Sequence, residues 1–351
     1  MSMLIGFADR PVRTIPVHAV ATVDHKIHLG RTCGKGFAVA SQDGTVSVLG
    51  DQLQLLYQAD LGDPVNDFTA TTTGDKWAWI MNNHLHIGER LGTCLMHEQL
   101  PQGPAACQWS SSAAALWAAV GTGYDVQVQI RTPQGRIRSE LTVPDAFGDS
   151  AVTLHPHPNP DAVVLWIAAG QDGQQSWLIR DVETGLAAER LPTKDCLPAV
   201  FGPDGDWFLT ADDDRMVRCT WPAPVTQSAL EWADTTADPE DDGDGDGDGD
   251  GPGYDLVLLP GAFASWSTAN GRIVVIDLST MSIVDEIAMD GHPVRTMAEV
   301  YPALAGDDSL CTDFHFTVPN EDAVLSVHGE QTVVLSHLRD WSPQPDRSDR
   351  I

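Results

Sequence analysis

The chain has 351 residues, of which 42% are hydrophobic, and it contains 31 glycines, 23 prolines and 11 tryptophans. This composition supplies a large core and many turn formers, which favours many short strands over a few long helices. The net charge of −30 is interpreted mainly as a solubility feature, and because it repels phosphate backbones and anionic lipid, we expect neither nucleic acid nor a membrane as partner.

The first residues, MSMLIGFADRPVRT, carry no basic leader. No later stretch reaches the roughly 20 apolar residues of a membrane span, so a cytoplasmic location is expected. A short strand is predicted at Arg13 to His18, where Pro16 favours an edge position. A first four-strand unit follows, with strands predicted in 20–26, 36–44, 45–51 and 52–61. Its Asp43-Gly44 dipeptide is a strong hairpin signal.

Similar units recur along the chain. The fifth is LPAVFGPDGDWFLTADDDRMVRCTW at 197–221, with turns predicted at Pro203 to Gly205 and at Asp212 to Asp214. The recurrence is about 40 to 47 residues, interrupted by two insertions, and such a period with four strands per unit is typical of a β-propeller. The second strands of the units are predicted to begin near residues 36, 76, 115, 162, 207, 263 and 322.

Three short motifs connect these repeats to a known family. IRDVETG at 179–185 has an Asp-containing strand end followed by a turn, VIDLST at 275–280 is a weaker version, and Asp290-Gly291-His292 contains a Gly-His pair. The repeats resemble those of divergent WD40-like β-propeller proteins of the bacterial and archaeal type, over about residues 11 to 340. Most units lack both signature dipeptides, and a YVTN- or lactonase-like propeller is the alternative. The resemblance implies an all-β fold, a single seven-bladed propeller in 1–340.

The two ends of the chain are predicted to pair. The last unit ends after its third strand at Leu338, whereas the strand at Arg13 to His18 precedes the first full unit. WD40-like propellers commonly complete the last blade with a strand from the other terminus, which removes a free edge. The tail at 341–351 contains prolines and charges and is predicted to be disordered.

Two insertions interrupt the repeats, at 235–254 and at 293–308. The first, TTADPEDDGDGDGDGDGPGY, is predicted to be a flexible acidic loop because it lacks apolar side chains for packing. The second has apolar residues at the spacing of a short helix. Three aspartates of the first insertion and one that directly follows it match part of an EF-hand-type calcium loop. These are Asp244, Asp246, Asp248 and Asp255.

The calcium interpretation has an alternative. An EF-hand loop needs a bidentate Glu at its twelfth position and flanking helices, and neither is evident in the sequence. Repeated Gly-Asp pairs also match in any register, so the favoured interpretation of the tract is a solvated spacer or a weak cation binder. No cofactor other than Ca²⁺ is considered, and no cofactor-binding residue is assigned.

Other candidate sites are incomplete in sequence. His84-Leu85-His86 and His155-Pro156-His157 each place two rings on one face of a strand, but a metal site needs a third ligand from elsewhere. The six scattered cysteines contain no CxxC pair and are interpreted as reduced thiols. The strand tryptophans are predicted to be core residues: Trp77, Trp79, Trp117, Trp166, Trp177, Trp207 and Trp266.

The sequence contains no recognisable catalytic motif, which favours a protein that is not an enzyme. The sequence has no G-x-S-x-G motif, and Ser110 to Ser112 fall in a predicted turn without an assignable histidine and acid, so no catalytic residue is assigned. The resemblance implies a non-catalytic scaffold that binds another protein and is monomeric outside its complex. The alternative is a metal-dependent propeller hydrolase or lactonase with its site at the central channel.

Overall fold

The computed structural model describes residues 12–33, 36–144, 146, 151–168, 174–192, 199–211, 215–231, 252–259, 262–268, 273–289, 315–317, 323–328 and 331–337. Every regular element in these residues is a β-strand, so the described chain is all-β as predicted. It includes no helix that is long and apolar enough to span a membrane. Contacts divide the chain into two units, one of Val23–Glu231 and one that combines Met1–Thr22 with Trp232–Ile351.

The strands are numbered in chain order. The N-terminal segment contains β1 (Val12–Ile15) and β2 (Val17–Thr22). The Val23–Glu231 unit contains β3 (Ile27–Cys33), β4 (Gly36–Ser41), β5 (Thr45–Leu49), β6 (Leu55–Asp60), β7 (Val65–Ala70), β8 (Trp77–Met81), β9 (His84–Arg90), β10 (Thr93–Gln99), β11 (Ala105–Trp109), β12 (Leu116–Thr122), β13 (Asp125–Arg131), β14 (Ile137–Val143), β15 (Ala151–Pro156), β16 (Ala162–Ala168), β17 (Gln174–Val182), β18 (Gly185–Arg190), β19 (Val200–Phe201), β20 (Trp207–Ala211), β21 (Arg215–Thr220) and β22 (Thr226–Glu231). The C-terminal segment contains β23 (Pro252–Leu259), β24 (Phe263–Thr268), β25 (Ile273–Asp277), β26 (Ser282–Met289), β27 (His315–Thr317), β28 (Ala323–His328) and β29 (Thr332–His337).

In the Val23–Glu231 unit, the strands form five four-stranded antiparallel sheets. In chain order these are the first sheet (β3–β6), the second (β7–β10), the third (β11–β14), the fourth (β15–β18) and the fifth (β19–β22), each with strands adjacent in sequence also adjacent in the sheet. The leading strands of the first four sheets contact one another in the same order, β3 with β7, β7 with β11 and β11 with β15. This repeated arrangement fits a propeller-like repeat fold.

The predicted positions of the second strands are confirmed along the chain. Their observed first residues are Gly36, Trp77, Leu116, Ala162, Trp207, Phe263 and Ala323. The turns also follow the sequence. Asn82 and Asn83, between β8 and β9, have φ values of 50° and 57°, which asparagine tolerates better than most residues. Gly44 has a φ of 89°, and a Cβ there would lie 2.3 Å from the carbonyl oxygen of Asp63, so the turn requires glycine.

The two faces of β8 fill two different cores. Trp77 and Trp79 pack with residues of the first sheet, whereas Ala78 and Ile80 pack with residues of the third sheet. A strand that is buried on both faces has a continuous apolar sequence, and this explains the run WAWI at 77–80. The sheets of this unit are therefore stacked face to face.

The tryptophans follow the core prediction to different degrees. Trp77, Trp79 and Trp117 are buried, with at most 3% of their surface exposed. The other described members of the predicted set are half-buried: Trp166, Trp177 and Trp207. The side chain of Trp266 lies outside the described part of the structure.

A buried arginine joins the second and third sheets. The side chain of Arg131, on β13, is completely buried, and its Nη1 and Nη2 donate to the two carboxylate oxygens of Glu98, on β10, at 2.7 and 3.0 Å. Its Nε and Nη1 also donate to Gln129 Oε1 and to the Gly135 carbonyl at 3.1 and 3.0 Å. These bonds lower the pKa of Glu98. The bidentate pair fixes the spacing of the two sheets.

In the unit that combines the chain ends, the N-terminal segment pairs with two sheets. β2 pairs antiparallel with β29 and completes the seventh sheet (β2, β29, β28, β27), while β1 pairs in parallel with β26 and adds a fifth strand to the sixth sheet (β1, β26, β25, β24, β23). The ends therefore pair as predicted, but the completing strand is Val17–Thr22 and not Arg13 to His18. The strand predicted at 20–26 is also wrong, because β3 (Ile27–Cys33) opens the first sheet.

Several predicted segments lie outside the described residues. These are the insertion at 293–308, the tail at 341–351, the turn at 212–214 and the Gly-His pair at 291–292. Of the acidic insertion predicted at 235–254, residues 235–251 also lie outside the described structure. Its last three residues already belong to β23, so the strand begins earlier than predicted.

Candidate functional site

The predicted calcium ligands are only partly within the described structure. Asp244, Asp246 and Asp248 lie outside it, and Asp255 lies in β23 without a described side chain. In the part of the chain that is described, no group of three or more His, Cys, Asp or Glu side chains is arranged to hold a metal ion.

A hydrogen-bonded cluster joins the leading strands of the first three sheets. Asp67, on β7, is buried and accepts a hydrogen bond from Arg31 Nη2, on β3, at 3.0 Å. It also accepts bonds from the backbone amides of Phe68 and of Cys107, on β11, each at 2.9 Å. One carboxylate thus satisfies donors from three sheets, so we interpret it as a structural centre.

The other titratable groups at this cluster are poorly suited to catalysis. Burial raises the pKa of the Cys107 thiol well above its usual value, so this sulfur stays protonated and unreactive. Burial, with a smaller contribution from the charge of Arg31, lowers the pKa of His155 to about 4. His155 Nε2 lies 2.9 Å from Thr153 Oγ1 on the same strand. The imidazole is therefore neutral at pH 7 and serves as a hydrogen-bond partner.

A cleft of about 510 Å³ lies between the first and second sheets. Its walls include backbone at Gly36, Gly50 and Gly74 and the side chains of Tyr57 and Trp77. Because the glycines have no side chains, the cleft reaches the backbone of the sheets. Its size is in the range of sites that take a side chain or a small molecule.

The rim of the cleft combines apolar and charged groups. Leu56 lines it, and both Leu56 and its neighbour Leu55 are 58% exposed on β6, the edge strand of the first sheet. The guanidinium of Arg90 lies 3.8 Å from the centroid of the Tyr57 ring. Asp51 and Glu89 also line the cleft. Tyrosine and arginine are residue types that often dominate the binding energy at protein interfaces, and the exposed leucines add apolar surface beside them.

The histidine pair predicted on β9 gains a third member in the structure. His97, on β10, is the direct cross-strand partner of His86. The ring centroids lie 6.3 Å apart for His84 and His86, 6.4 Å for His84 and His97, and 6.0 Å for His86 and His97. Cys94 Sγ lies 3.6 Å from His86 Nδ1. The three histidines and Cys94 are called the histidine cluster below.

The sequence contained a usable signal for the histidine cluster. β9 and β10 form a hairpin with a turn at Leu91-Gly92, and pairing outwards from that turn brings residues near 97 opposite residues near 86. Sequence reasoning missed His97 because it compared only histidines on the same strand and did not pair β9 with β10 across the turn. The second predicted histidine pair is His155 and His157. His157 is buried with its ring 4.4 Å from that of Phe201, so it packs in a core and does not face an open site.

Comparison of the chain with models of known protein families finds no match, and comparison with curated protein sequences finds none either.

Proposed function

We propose that the protein is a non-catalytic interaction module: a WD40-like, seven-bladed β-propeller that is closed by its N-terminal strand and binds another protein. The repeated four-stranded sheets and the pairing of β2 with β29 support this architecture. The inert groups at the cluster of leading strands support a binding role over a catalytic one.

The cleft between the first and second sheets carries the proposal. Leu56 exposes more than half of its surface, and burying that fraction against a partner would contribute about 1 to 2 kcal/mol. Arg90 stacked on Tyr57 provides a flat, preformed contact surface beside it. The exposed edge of β6 offers backbone groups to which an extended segment can add as a further strand.

Charge indicates the kind of partner. The chain carries a net charge of −30, and Asp51 and Glu89 lie at the cleft itself. Opposite charge increases the rate of encounter and selects among partners. The partner is therefore an extended segment of a protein with apolar side chains for the cleft and basic residues for its rim.

The test compares two single substitutions in full-length protein. Leu56→Asp places a charge at the cleft, whereas Val225→Asp does the same at a site beside β22 that is 62% exposed. Wild type and both variants are immobilised, and proteins retained from native lysate are quantified by mass spectrometry. We expect at least one protein to be retained by wild type and V225D but about tenfold less by L56D. Equal retention by all three, with unchanged circular dichroism, would contradict the proposal.

A further inference from the structure

We propose that His84, His86 and His97, with Cys94 as fourth ligand, bind one zinc ion or a similar divalent transition-metal ion on the exposed face of the second sheet. Three imidazoles and a thiolate are ligands that Zn²⁺ prefers, and four is its usual coordination number. This site is independent of the proposed partner cleft, and neither proposal depends on the other.

The register of the sheet brings the ligands together. His84 and His86 are two residues apart on β9 and therefore share a face, and His97 lies opposite His86 on β10. Trp79, on β8, lies opposite His86 on the other side. Its ring is 5.2 Å from that of His86 and almost parallel to it, at 7°, and only 2% of Trp79 is exposed. A rigid indole thus fixes the plane of the central imidazole.

Short contacts identify the nitrogens of His84 and His86 that would bind the ion. His84 Nδ1 lies 2.8 Å from the carbonyl oxygen of Asn82, which can only accept, so Nδ1 carries the proton and Nε2 keeps its lone pair. The Cys94 thiol donates to the Met96 carbonyl at 3.0 Å. A ring that donates through one nitrogen to a carbonyl is the usual state of a metal-binding histidine. Cys94 Sγ lies 3.6 Å from His86 Nδ1, close to the separation of about 3.5 Å between nitrogen and sulfur ligands on one tetrahedral zinc ion, so His86 binds through Nδ1. Cys94 binds as the thiolate and releases the thiol proton.

A bulge in β10 gives Cys94 its position. The pairing with β9 passes from Cys94 opposite Gly88 to Met96 opposite Ile87 and omits Leu95, which is 67% exposed. Bulges commonly redirect side chains near functional sites. The close approach also requires glycine at 88, where a Cβ would lie 2.0 Å from the Thr93 carbonyl oxygen. The bulge therefore holds the thiol beside His86.

The ligands are near coordination geometry but do not yet have it. With Zn–N bonds of about 2.0 Å, the ring centroids of two histidines on one tetrahedral ion lie about 5 Å apart. The observed separations are 6.0 to 6.4 Å, so each separation must shorten by about 1 Å. His97 and Cys94 are exposed and His84 is half-buried, which permits these side chains to rotate towards the fixed ring of His86. The net charge of −30 also concentrates cations near the protein.

The test is a titration of the full chain with Zn²⁺ in a large excess of Mg²⁺, which occupies oxygen-rich sites such as the acidic tract but does not favour imidazole or thiol ligands. We expect one equivalent of Zn²⁺ to bind with micromolar or tighter affinity. His86→Asn and His97→Asn should each weaken binding by at least about tenfold, whereas His18→Asn, at an exposed position of β2, should not.

Cobalt and thermal melting provide further readouts. Co²⁺ in place of Zn²⁺ should give a near-ultraviolet charge-transfer band from the Cys94 thiolate, which Cys94→Ser should remove. Zn²⁺ should raise the melting temperature of wild type and H18N but not of H86N or H97N. No uptake by wild type, or unchanged affinity in H86N and H97N, would overturn the site. Absence of the thiolate band in wild type would overturn the role of Cys94.

Discussion

Replacing Glu98 with alanine should destabilise the protein far more than an ordinary surface substitution. Glu98 is 43% exposed, but its partner Arg131 is completely buried, and the variant would leave that guanidinium with only Gln129 and the Gly135 carbonyl as acceptors. Breaking a buried ion pair by removing one partner costs about 3 to 5 kcal/mol. Glu98→Gln keeps an acceptor without the charge and should cost about 1 to 3 kcal/mol.

The chain contains a matched control. Glu189 is also 43% exposed and pairs with Arg180 at 3.0 Å, but Arg180 is 44% exposed, so Glu189→Ala should cost less than about 1 kcal/mol. Urea unfolding at pH 7 measures each change in the free energy of unfolding. Because Arg131 lowers the pKa of Glu98, the stabilisation is present above about pH 4.3 and is lost as the pH falls through that lowered pKa. A similar cost for E98A and E189A would refute the reasoning.

Three further outcomes are expected. Deleting residues 1–22 removes β1 and β2 and exposes the edge of β29, so the truncated chain should melt at lower temperature and aggregate on a sizing column; a monomer with unchanged melting would contradict this. Since the pKa of His155 falls from 6.5 to about 4 on folding, the unfolded chain binds more protons between these values. Stability of wild type should therefore decrease from pH 6.5 to pH 4, by at most about 3 kcal/mol from this group, and urea midpoints of His155→Gln should change less. Asp67→Ala leaves Arg31 and two amides without their acceptor, and it should cost about 3 kcal/mol or more in the same assay, with Asp67→Asn intermediate.

The repeats could be predicted because each strand and turn has a local cause. The apolar run of β8 and the Asn82-Asn83 turn both follow from short-range sequence preferences, and the structure confirms them. The strand predicted at 20–26 was wrong because the apolar and β-branched residues Val20 to Thr22 are typical of a strand but form the end of β2, which joins the seventh sheet. Local pattern indicates a strand but does not determine which sheet it joins.

The buried ion pair, the histidine cluster and the cleft depend on how strands and sheets pack, so the sequence alone did not predict them. An arginine at the end of a strand is usually exposed, and Arg131 is buried only because the second and third sheets stack around it. His97 meets His86 only when β9 and β10 pair across their hairpin. The cleft beside Leu56 depends on the spacing of two sheets, which no single unit of the sequence encodes.

The pairing of β2 with β29 has a consequence for synthesis on the ribosome. The Val23–Glu231 unit is one continuous stretch and can assemble its sheets as it emerges. β2 must instead wait for β29, which is synthesised about 300 residues later, or roughly 15 to 60 s at 5 to 20 residues per second. During that time Val17–Thr22 is an unpaired strand tethered to folded sheets. A short apolar strand in this state is a natural substrate for chaperones, and a neighbouring copy of the chain could capture it before its own partner has been made.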